Sequence, residues 1–202
     1  MSTAVVVWHP MRTAAVFLLL AAVPSGASPA SLVVDVRDGR GAAVADAVVY
    51  AIPDVKVAPA ARRAVLDQKN RMFVPHVLPI QTGTAVSFPN SDNVRHQVYS
   101  FSPAKRFQLP LYAGTPAAPV VFDRPGVVAI GCNIHDQMSA YLVVVDTPYF
   151  ALAANGQAEI GLPEGAYEVR VWHEGMRAEP PPQRIRIGAD PPERLVFRIG
   201  EK

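Results

Sequence analysis

The chain has 202 residues, and its 19 Lys and Arg against 17 Asp and Glu give a formal net charge of +2. A balance this close to neutral excludes the basic surface by which proteins commonly bind nucleic acid. Twenty prolines and thirteen glycines favour short strands joined by turns, and a single cysteine excludes an internal disulfide.

The chain opens with the features of a leader for export. Arg12 precedes an apolar run from Ala14 to Val23, and small residues follow that run. The run holds about ten residues, well short of the roughly 20 that span a bilayer, and cleavage after Ala27 or Ala30 fits a secretory signal peptide. We predict a signal peptide over residues 1–27 and a mature protein in the periplasm, with no transmembrane span.

Short β-branched and aromatic runs between turn residues predict an all-β fold class, a sandwich of short strands without amphipathic helices. The first two predicted strands are Leu32–Val36 and Ala47–Ile52, and a linker containing Pro53 and Pro59 follows. The middle strands are Ala64–Leu66, Phe73–Ile80, Ala85–Phe88, Gln97–Phe101, Val120–Phe122, Val127–Ile130 and Ala140–Val145. The last strands are Gln157–Ile160, Gly165–Trp172, Arg184–Ile187 and Arg194–Ile199.

The single cysteine lies in a loop that is rich in metal-binding side chains. Cys132, His135 and Met138 follow one another at C-x2-H-x2-M spacing between two predicted strands. Two histidines, one cysteine and a weak axial methionine are the ligands of a blue-copper centre. His96, in a loop that enters an upstream strand, supplies the second histidine. We predict that one copper ion is bound by His96, Cys132, His135 and Met138.

Other interpretations of this loop have less support. Zinc is a poor partner for a thioether, and structural zinc usually takes four Cys or His ligands. As a nucleophile and base, Cys132 and His135 lack a third group to orient the imidazole and an oxyanion-hole signature. No H-x-H pair provides the further copper ions of a copper oxidase or nitrite reductase, and four ligands leave no open position for substrate. We therefore expect no enzymatic activity.

The segments around these ligands resemble the cupredoxins. Gly83–Asn90, His96-x-Val98, Gly126 and the 132–138 loop carry the resemblance, and the loop has the ligand spacing of amicyanin. A narrower resemblance is to periplasmic plastocyanin-like proteins often labelled methylamine utilisation protein, and rests on Tyr99–Phe107, Phe122–Val127 and Gly131–Asp136. The chain departs from the common cupredoxin pattern at Gln97, where most members carry an Asn that ties the two ligand loops together.

This resemblance implies a Greek-key cupredoxin domain over residues 61–146 with one type 1 copper ion. It also implies a carrier of single electrons between periplasmic redox proteins, with a dehydrogenase as donor and a cytochrome or oxidase as acceptor. The alternative function is a non-catalytic copper-binding or interaction protein whose additional β-sandwich module does the main work.

The strands outside residues 61–146 exceed what a cupredoxin needs. Val36–Gly41 with Val44–Tyr50 resembles the start of a transthyretin-like or carboxypeptidase-regulatory β-sandwich, and Asn155–Tyr167 resembles its second half. We hypothesise a discontinuous module in which residues 28–60 pair with residues 147–202 around the inserted cupredoxin. The alternative is that the early strands extend the cupredoxin sheets.

Five further residues have weaker claims to a function. His76 and His173 are expected at the surface, outside the metal site. Lys105, Arg106 and Phe107 are either a docking surface for an acidic partner or ordinary solvated side chains.

Overall fold

The computed structural model describes residues 30–116, 118–188 and 194–200. Every helix or strand assigned in these ranges is a β-strand, which confirms the predicted all-β fold class. The predicted signal peptide over residues 1–27 lies outside the described residues. Within the described ranges, no helix is long and apolar enough to cross a membrane.

Seventeen strands are numbered in chain order. The first two and the last five are β1 Ala30–Arg37, β2 Val48–Pro53, β13 Phe150–Leu152, β14 Gln157–Leu162, β15 Gly165–Trp172, β16 Gln183–Ile187 and β17 Arg194–Arg198. Between them lie β3 Arg63–Val65, β4 Asp67–Lys69, β5 Met72–Val74, β6 Val77–Gln81, β7 Thr84–Ser87, β8 His96–Ser100, β9 Phe107–Tyr112, β10 Val120–Phe122, β11 Gly126–Gly131 and β12 Ser139–Val145.

The first and last strands together form one sandwich, here called the terminal sandwich. β1 lies at the centre of a three-stranded sheet, antiparallel to β14 and parallel to β17. β2 belongs to a four-stranded sheet in the order β13-β2-β15-β16. Alternate side chains of each sheet enter a common core, as Val34 does from β1 and Val169 from β15. The N-terminal strands thus pair with the C-terminal segment.

Strands β3–β12 form the central sandwich. Its larger sheet has the order β6-β12-β11-β8-β9, and its smaller sheet has the order β10-β7-β3. The remaining two strands, β4 and β5, form a hairpin of their own. The chain passes repeatedly between the two sheets, and side chains of both meet in one core that includes Phe88, Phe122 and Leu142. This two-sheet arrangement is the β-sandwich predicted for this part of the chain.

The two sandwiches pack against each other through β12, which is buried on both faces. Leu142 and Val144 belong to the core of the central sandwich. Val143 and Val145 point the other way and form a small cluster with Val48 of β2 and other apolar side chains. Since this strand also follows the loop of residues 132–138, the terminal sandwich supports the strand that leads out of that loop.

The strand prediction was wrong at four places. No predicted strand covers β4, which has only the three residues Asp67–Lys69. The predicted strand Phe73–Ile80 is divided into β5 and β6, which are separated at Pro75 by a cis peptide bond. β9 was missed because Pro110 lies within it, and proline is tolerated there because β9 is an edge strand. β13 was missed because it has only three residues, all half-buried.

Candidate metal centre

Two neighbouring strands of the central sandwich bring the predicted ligands to one end of the sheet. β8 begins at His96, and β11 ends one residue before Cys132. β8 is antiparallel to β11, with Gly131 opposite Tyr99, so the start of β8 lies beside the loop that follows β11. This loop, residues 132–138, closes between the paired residues Gly131 and Ser139.

Backbone hydrogen bonds fix the shape of the 132–138 loop. The Met138 N–H donates to the His135 carbonyl at 2.9 Å, and the Cys132 N–H donates to the Met138 carbonyl at 3.3 Å. The side chains of Cys132 and Met138 enter the same apolar core, where they are 4% and 1% exposed. Cys132 and Met138, at the two ends of the loop, therefore point into the core. His135, midway between them, is only half-buried.

The structure brings three of the four predicted ligands into one cluster. Cys132 Sγ lies 4.0 Å from His96 Nδ1, and the rings of His96 and His135 have centroids 4.9 Å apart. One donor atom from each of these three residues lies within 4.8 Å of the other two. Met138, the fourth predicted ligand, is buried in the same core cluster as Cys132.

Hydrogen bonding shows which nitrogen of His96 is available to a metal. His96 Nε2 lies 2.7 Å from Asp92 Oδ2, and an ionised carboxylate can only accept a hydrogen bond. Nε2 therefore carries a proton and is engaged by Asp92. This leaves Nδ1, which lies 4.0 Å from Cys132 Sγ, as the nitrogen available to a metal. This imidazole is fully buried, at 0% exposure.

His135 provides a second ring nitrogen that a metal could bind. Its Nδ1 is buried and has no hydrogen-bond partner within the described parts of the chain. Burying an unpaired polar atom costs about 1–3 kcal/mol, and a metal bond at this atom would remove the cost. The ring as a whole is only half-buried, so its other edge approaches the protein surface.

The donor set fits a soft transition metal. Bonds from a metal ion to nitrogen and sulfur measure about 2.0 and 2.3 Å, so the 4.0 Å between His96 Nδ1 and Cys132 Sγ leaves one ion within reach of both. Thiolate, imidazole and thioether donors select copper over magnesium or calcium. The residues present therefore fit a copper ion.

Asp92 is a polar contact of His96 that the sequence did not reveal. Its side chain is 11% exposed. Burial acts to raise the pKa of Asp92, but hydrogen bonds from Arg71, His96 and Asn70 outweigh burial and hold this pKa below its ordinary value. The only signal in the sequence is the spacing of four residues from Asp92 to His96.

A buried network holds the loop that precedes His96. Asn90 Nδ2 donates to the carbonyls of Val94 and Tyr112 at 2.9 and 3.0 Å. The Tyr112 hydroxyl donates to the Phe88 carbonyl at 2.7 Å and accepts from Gln68 Nε2 at 2.5 Å. Burial raises the pKa of Tyr112 to about 12, which keeps the hydroxyl protonated and able to donate. Since Tyr112 is paired with His96 in the β8–β9 ladder, this network limits the movement of His96.

The remaining sequence candidates lie away from the cluster. His76 Nε2 lies 2.9 Å from Glu174 Oε1 and bridges the two sandwiches, and His173 Nδ1 accepts from the Gly175 N–H at 3.1 Å. Lys105 Nζ donates to Asp123 at 3.0 Å. Phe107 packs into the central core against Phe88, with centroids 5.5 Å apart. Of the two alternatives for Lys105, Arg106 and Phe107, a docking surface or ordinary solvated side chains, the structure offers no continuous exposed patch for the first.

Among the solved structures similar to parts of this chain are three copper proteins or cupredoxins. A Cu-containing nitrite reductase from Thermus scotoductus SA-01 is 24% identical, with a TM-score of 0.38, over 44% of this chain and 23% of its own. A purple cupredoxin from Nitrosopumilus maritimus is 23% identical, with a TM-score of 0.36, over 41% of this chain and 99% of its own. A variant of amicyanin with Cu(I) is 20% identical, with a TM-score of 0.37, over 48% of this chain and 99% of its own. No protein-family model and no curated protein matches the chain.

Proposed function

We propose that this chain is a periplasmic type 1 copper protein that carries single electrons between redox partners. His96, Cys132 and His135 would be the equatorial ligands and Met138 the axial ligand. The observation that carries the proposal is the convergence of His96 Nδ1, a buried thiol and an unpaired His135 Nδ1. Copper bound by such a set supplies one-electron Cu(II)/Cu(I) chemistry.

The burial of the ligands favours electron transfer over catalysis. Cys132, Met138 and His96 are all buried, so their side chains exclude water and substrate from the centre. A catalytic metal keeps an open coordination position, and four protein ligands leave none. The hydrogen bonds around His96 and within the 132–138 loop hold the donor atoms in place. An electron carrier requires this, because its ligands should move little when the metal changes oxidation state.

His135 offers the route by which electrons would enter and leave. It is the only half-buried member of the three clustered ligands, and its loop neighbour Ile134 is exposed. Exposed Phe101 and half-buried Tyr99 line an open cleft beside the same loop. A redox partner that covers the exposed part of the 132–138 loop around Ile134 would bring its own cofactor close to the His135 ring. We propose a periplasmic dehydrogenase as donor, with amine oxidation as the associated metabolism, and a cytochrome or oxidase as acceptor.

The periplasmic location agrees with the chemistry of Cys132. A leader for export would deliver an unpaired thiol to an oxidising compartment, where thiols are oxidised unless they are protected. Cys132 is 4% exposed, and copper ligation would occupy its sulfur.

A second candidate function is a copper-binding interaction protein without electron transfer. The observation that favours it is the terminal sandwich, which has a complete core of its own and contributes none of the predicted ligands. Protein-film voltammetry separates the two functions. A carrier gives a reversible one-electron wave, whereas a copper store gives no reversible couple.

The copper site itself is tested by adding Cu(II) to the purified protein. We expect an intense visible absorption, caused by charge transfer from the Cys132 thiolate, that is lost in Cys132→Ser. His173→Ala is the matched control, because His173 lies outside the cluster, and it should keep the absorption. A wild-type protein that stays colourless, or an absorption that survives in Cys132→Ser, contradicts the proposed site.

A further inference from the structure

We propose that Asp92 is a positioning residue of the metal centre, which orients His96 and tunes the reduction potential. This inference rests on the proposed function, because the ligand that Asp92 orients is one of the proposed copper ligands. Among the hydrogen bonds of the described residues, Asp92 contacts the cluster of donor atoms through the His96 ring alone.

The carboxylate of Asp92 is held from two sides. Its Oδ1 accepts from the Asn70 N–H at 2.6 Å, and its Oδ2 accepts from the Arg71 N–H at 2.9 Å. The same Oδ2 lies 2.7 Å from His96 Nε2. Two of these three donors are backbone groups, so the position of the carboxylate is fixed by the main chain and the histidine ring must follow it.

The backbone donors come from the tight turn between β4 and β5. Asn70 and Arg71 form this two-residue turn, and both have left-handed conformations, with φ of 55° and 56°. A pair of left-handed residues is the type I′ turn that suits a two-residue hairpin. The left-handed conformation is strained for a non-glycine residue, and the hydrogen bonds to Asp92 help to offset that strain. The hairpin and the histidine are thus tied to one carboxylate.

A carboxylate on the far nitrogen of a metal-bound imidazole has two physical effects. It fixes the ring tautomer, and its charge makes the ligating nitrogen a stronger donor. The stronger donor and the negative charge both favour Cu(II) over Cu(I), because the oxidised ion carries one more positive charge. Removing the charge of Asp92 should therefore weaken Cu(II) binding and raise the reduction potential.

The test compares Asp92→Asn with Asp67→Asn. Asp67 lies in β4, on the hairpin whose turn donates to Asp92, and accepts from Ser91 Oγ at 2.8 Å. Asp67→Asn therefore removes an equal charge from the same region, but from a side chain that does not contact His96. Loss of an outer-shell partner typically weakens metal affinity about 10–100-fold. If Cu(I) affinity is unchanged, the potential of Asp92→Asn rises by about 59–118 mV, since a tenfold change is about 59 mV for one electron. Asp67→Asn should change the affinity less than about threefold, well below that range.

A measurement on the metal-free protein tests the orientation without copper. At mildly alkaline pH, where imidazoles are neutral, long-range proton–nitrogen NMR should show His96 with its proton on Nε2. This readout applies to the wild-type protein, so it decides the orientation even if Asp92→Asn fails to fold.

The outcomes separate this inference from the proposed function. A blue wild-type protein whose Asp92→Asn variant keeps its affinity and potential overturns the role of Asp92 and leaves the copper site intact. A metal-free wild-type protein with the His96 proton on Nδ1 also overturns it. A wild-type protein that binds no copper overturns the proposed function, while the NMR result still decides how His96 is oriented.

Discussion

The two histidines of the centre are prepared for a metal in different ways. His96 has its Nε2 engaged by Asp92, and its Nδ1 is directed at Cys132. His135 has a buried Nδ1 without a partner in the part of the chain that the structure describes. His96 is thus held in a fixed orientation. The buried Nδ1 of His135 carries the cost of a missing hydrogen bond, which a bond to a metal would remove. Copper binding should therefore be accompanied by a gain in the stability of the fold.

Spacing alone makes Cys132, His135 and Met138 candidate ligands, because they lie on one short loop. It also makes His96 a candidate, since a blue-copper centre requires a second imidazole, and the structure brings His96, Cys132 and His135 together. It does not identify Asp92, because a hydrogen bond across a loop depends on the loop conformation. The same limit applies to Asn90, whose side chain cross-links the segment before His96.

A surface ion pair allows a test of the local electrostatics. Lys105 donates to Asp123, and this hydrogen bond lowers the pKa of the Asp123 carboxyl. A folded pKa below the unfolded value means that the pair stabilises the fold above the unfolded pKa. That contribution is lost as the pH falls through the lowered folded pKa.

Lys105→Gln should raise the pKa of Asp123 towards its ordinary value, as measured by carboxyl carbon NMR during an acid titration. Added salt should have the same effect in the wild-type protein, because exposed charges are screened. Arg106→Gln is the control, since Arg106 is exposed and has no ion pair with Asp123 among the described residues. An Asp123 pKa that is equal in Lys105→Gln and the wild-type protein would show that the pair does not form.

At the scale of strands, the alternation of apolar and polar residues and the turn residues between runs were sufficient to predict most strands. They were insufficient for short strands and edge strands. β15 matches its predicted bounds, Gly165–Trp172, because Tyr167, Val169 and Val171 alternate with polar residues over eight positions. β13 carries no such pattern in three residues. The signal that could have revealed β13 is Asn155-Gly156, a dipeptide typical of two-residue hairpin turns.

The Asn155-Gly156 turn gives a prediction about the terminal sandwich. Gly156 has φ of +76°, and a Cβ placed there would lie 2.7 Å from Ala43 Cβ and 2.9 Å from Ala43 Cα. Gly156→Ala should therefore lower the free energy of unfolding by about 2–3 kcal/mol, from left-handed strain and the clash together. Chemical denaturation measures the change.

Gly39→Ala is the matched control for this variant, because a Cβ at Gly39 meets nothing within 4 Å. Its stability should stay within about 0.5 kcal/mol of the wild-type value. The copper absorption should be unchanged in both variants, since both turns lie in the terminal sandwich. A Gly156→Ala protein as stable as the wild type would mean that the turn has another conformation.

At the scale of the whole molecule, the described residues form two sandwiches that share a buried boundary. β1 and β2 take central positions in the sheets of the terminal sandwich, so both ends of the chain are required to complete it. Val143 and Val145 of β12 meet Val48 of β2 at the boundary, and His76 contacts Glu174 across it. Resemblance between short motifs suggested this pairing of the two ends. The contacts across the boundary could not be predicted, because strand patterns show which face is apolar but not what covers it.

The central claim is that one copper ion is bound jointly by Cys132, His96 and His135. Copper X-ray absorption spectroscopy of the protein loaded with one equivalent of copper tests this claim most directly. We predict one short copper–sulfur bond and two copper–imidazole bonds in both the Cu(II) and the Cu(I) states. A first shell of oxygen and nitrogen atoms without sulfur would contradict it.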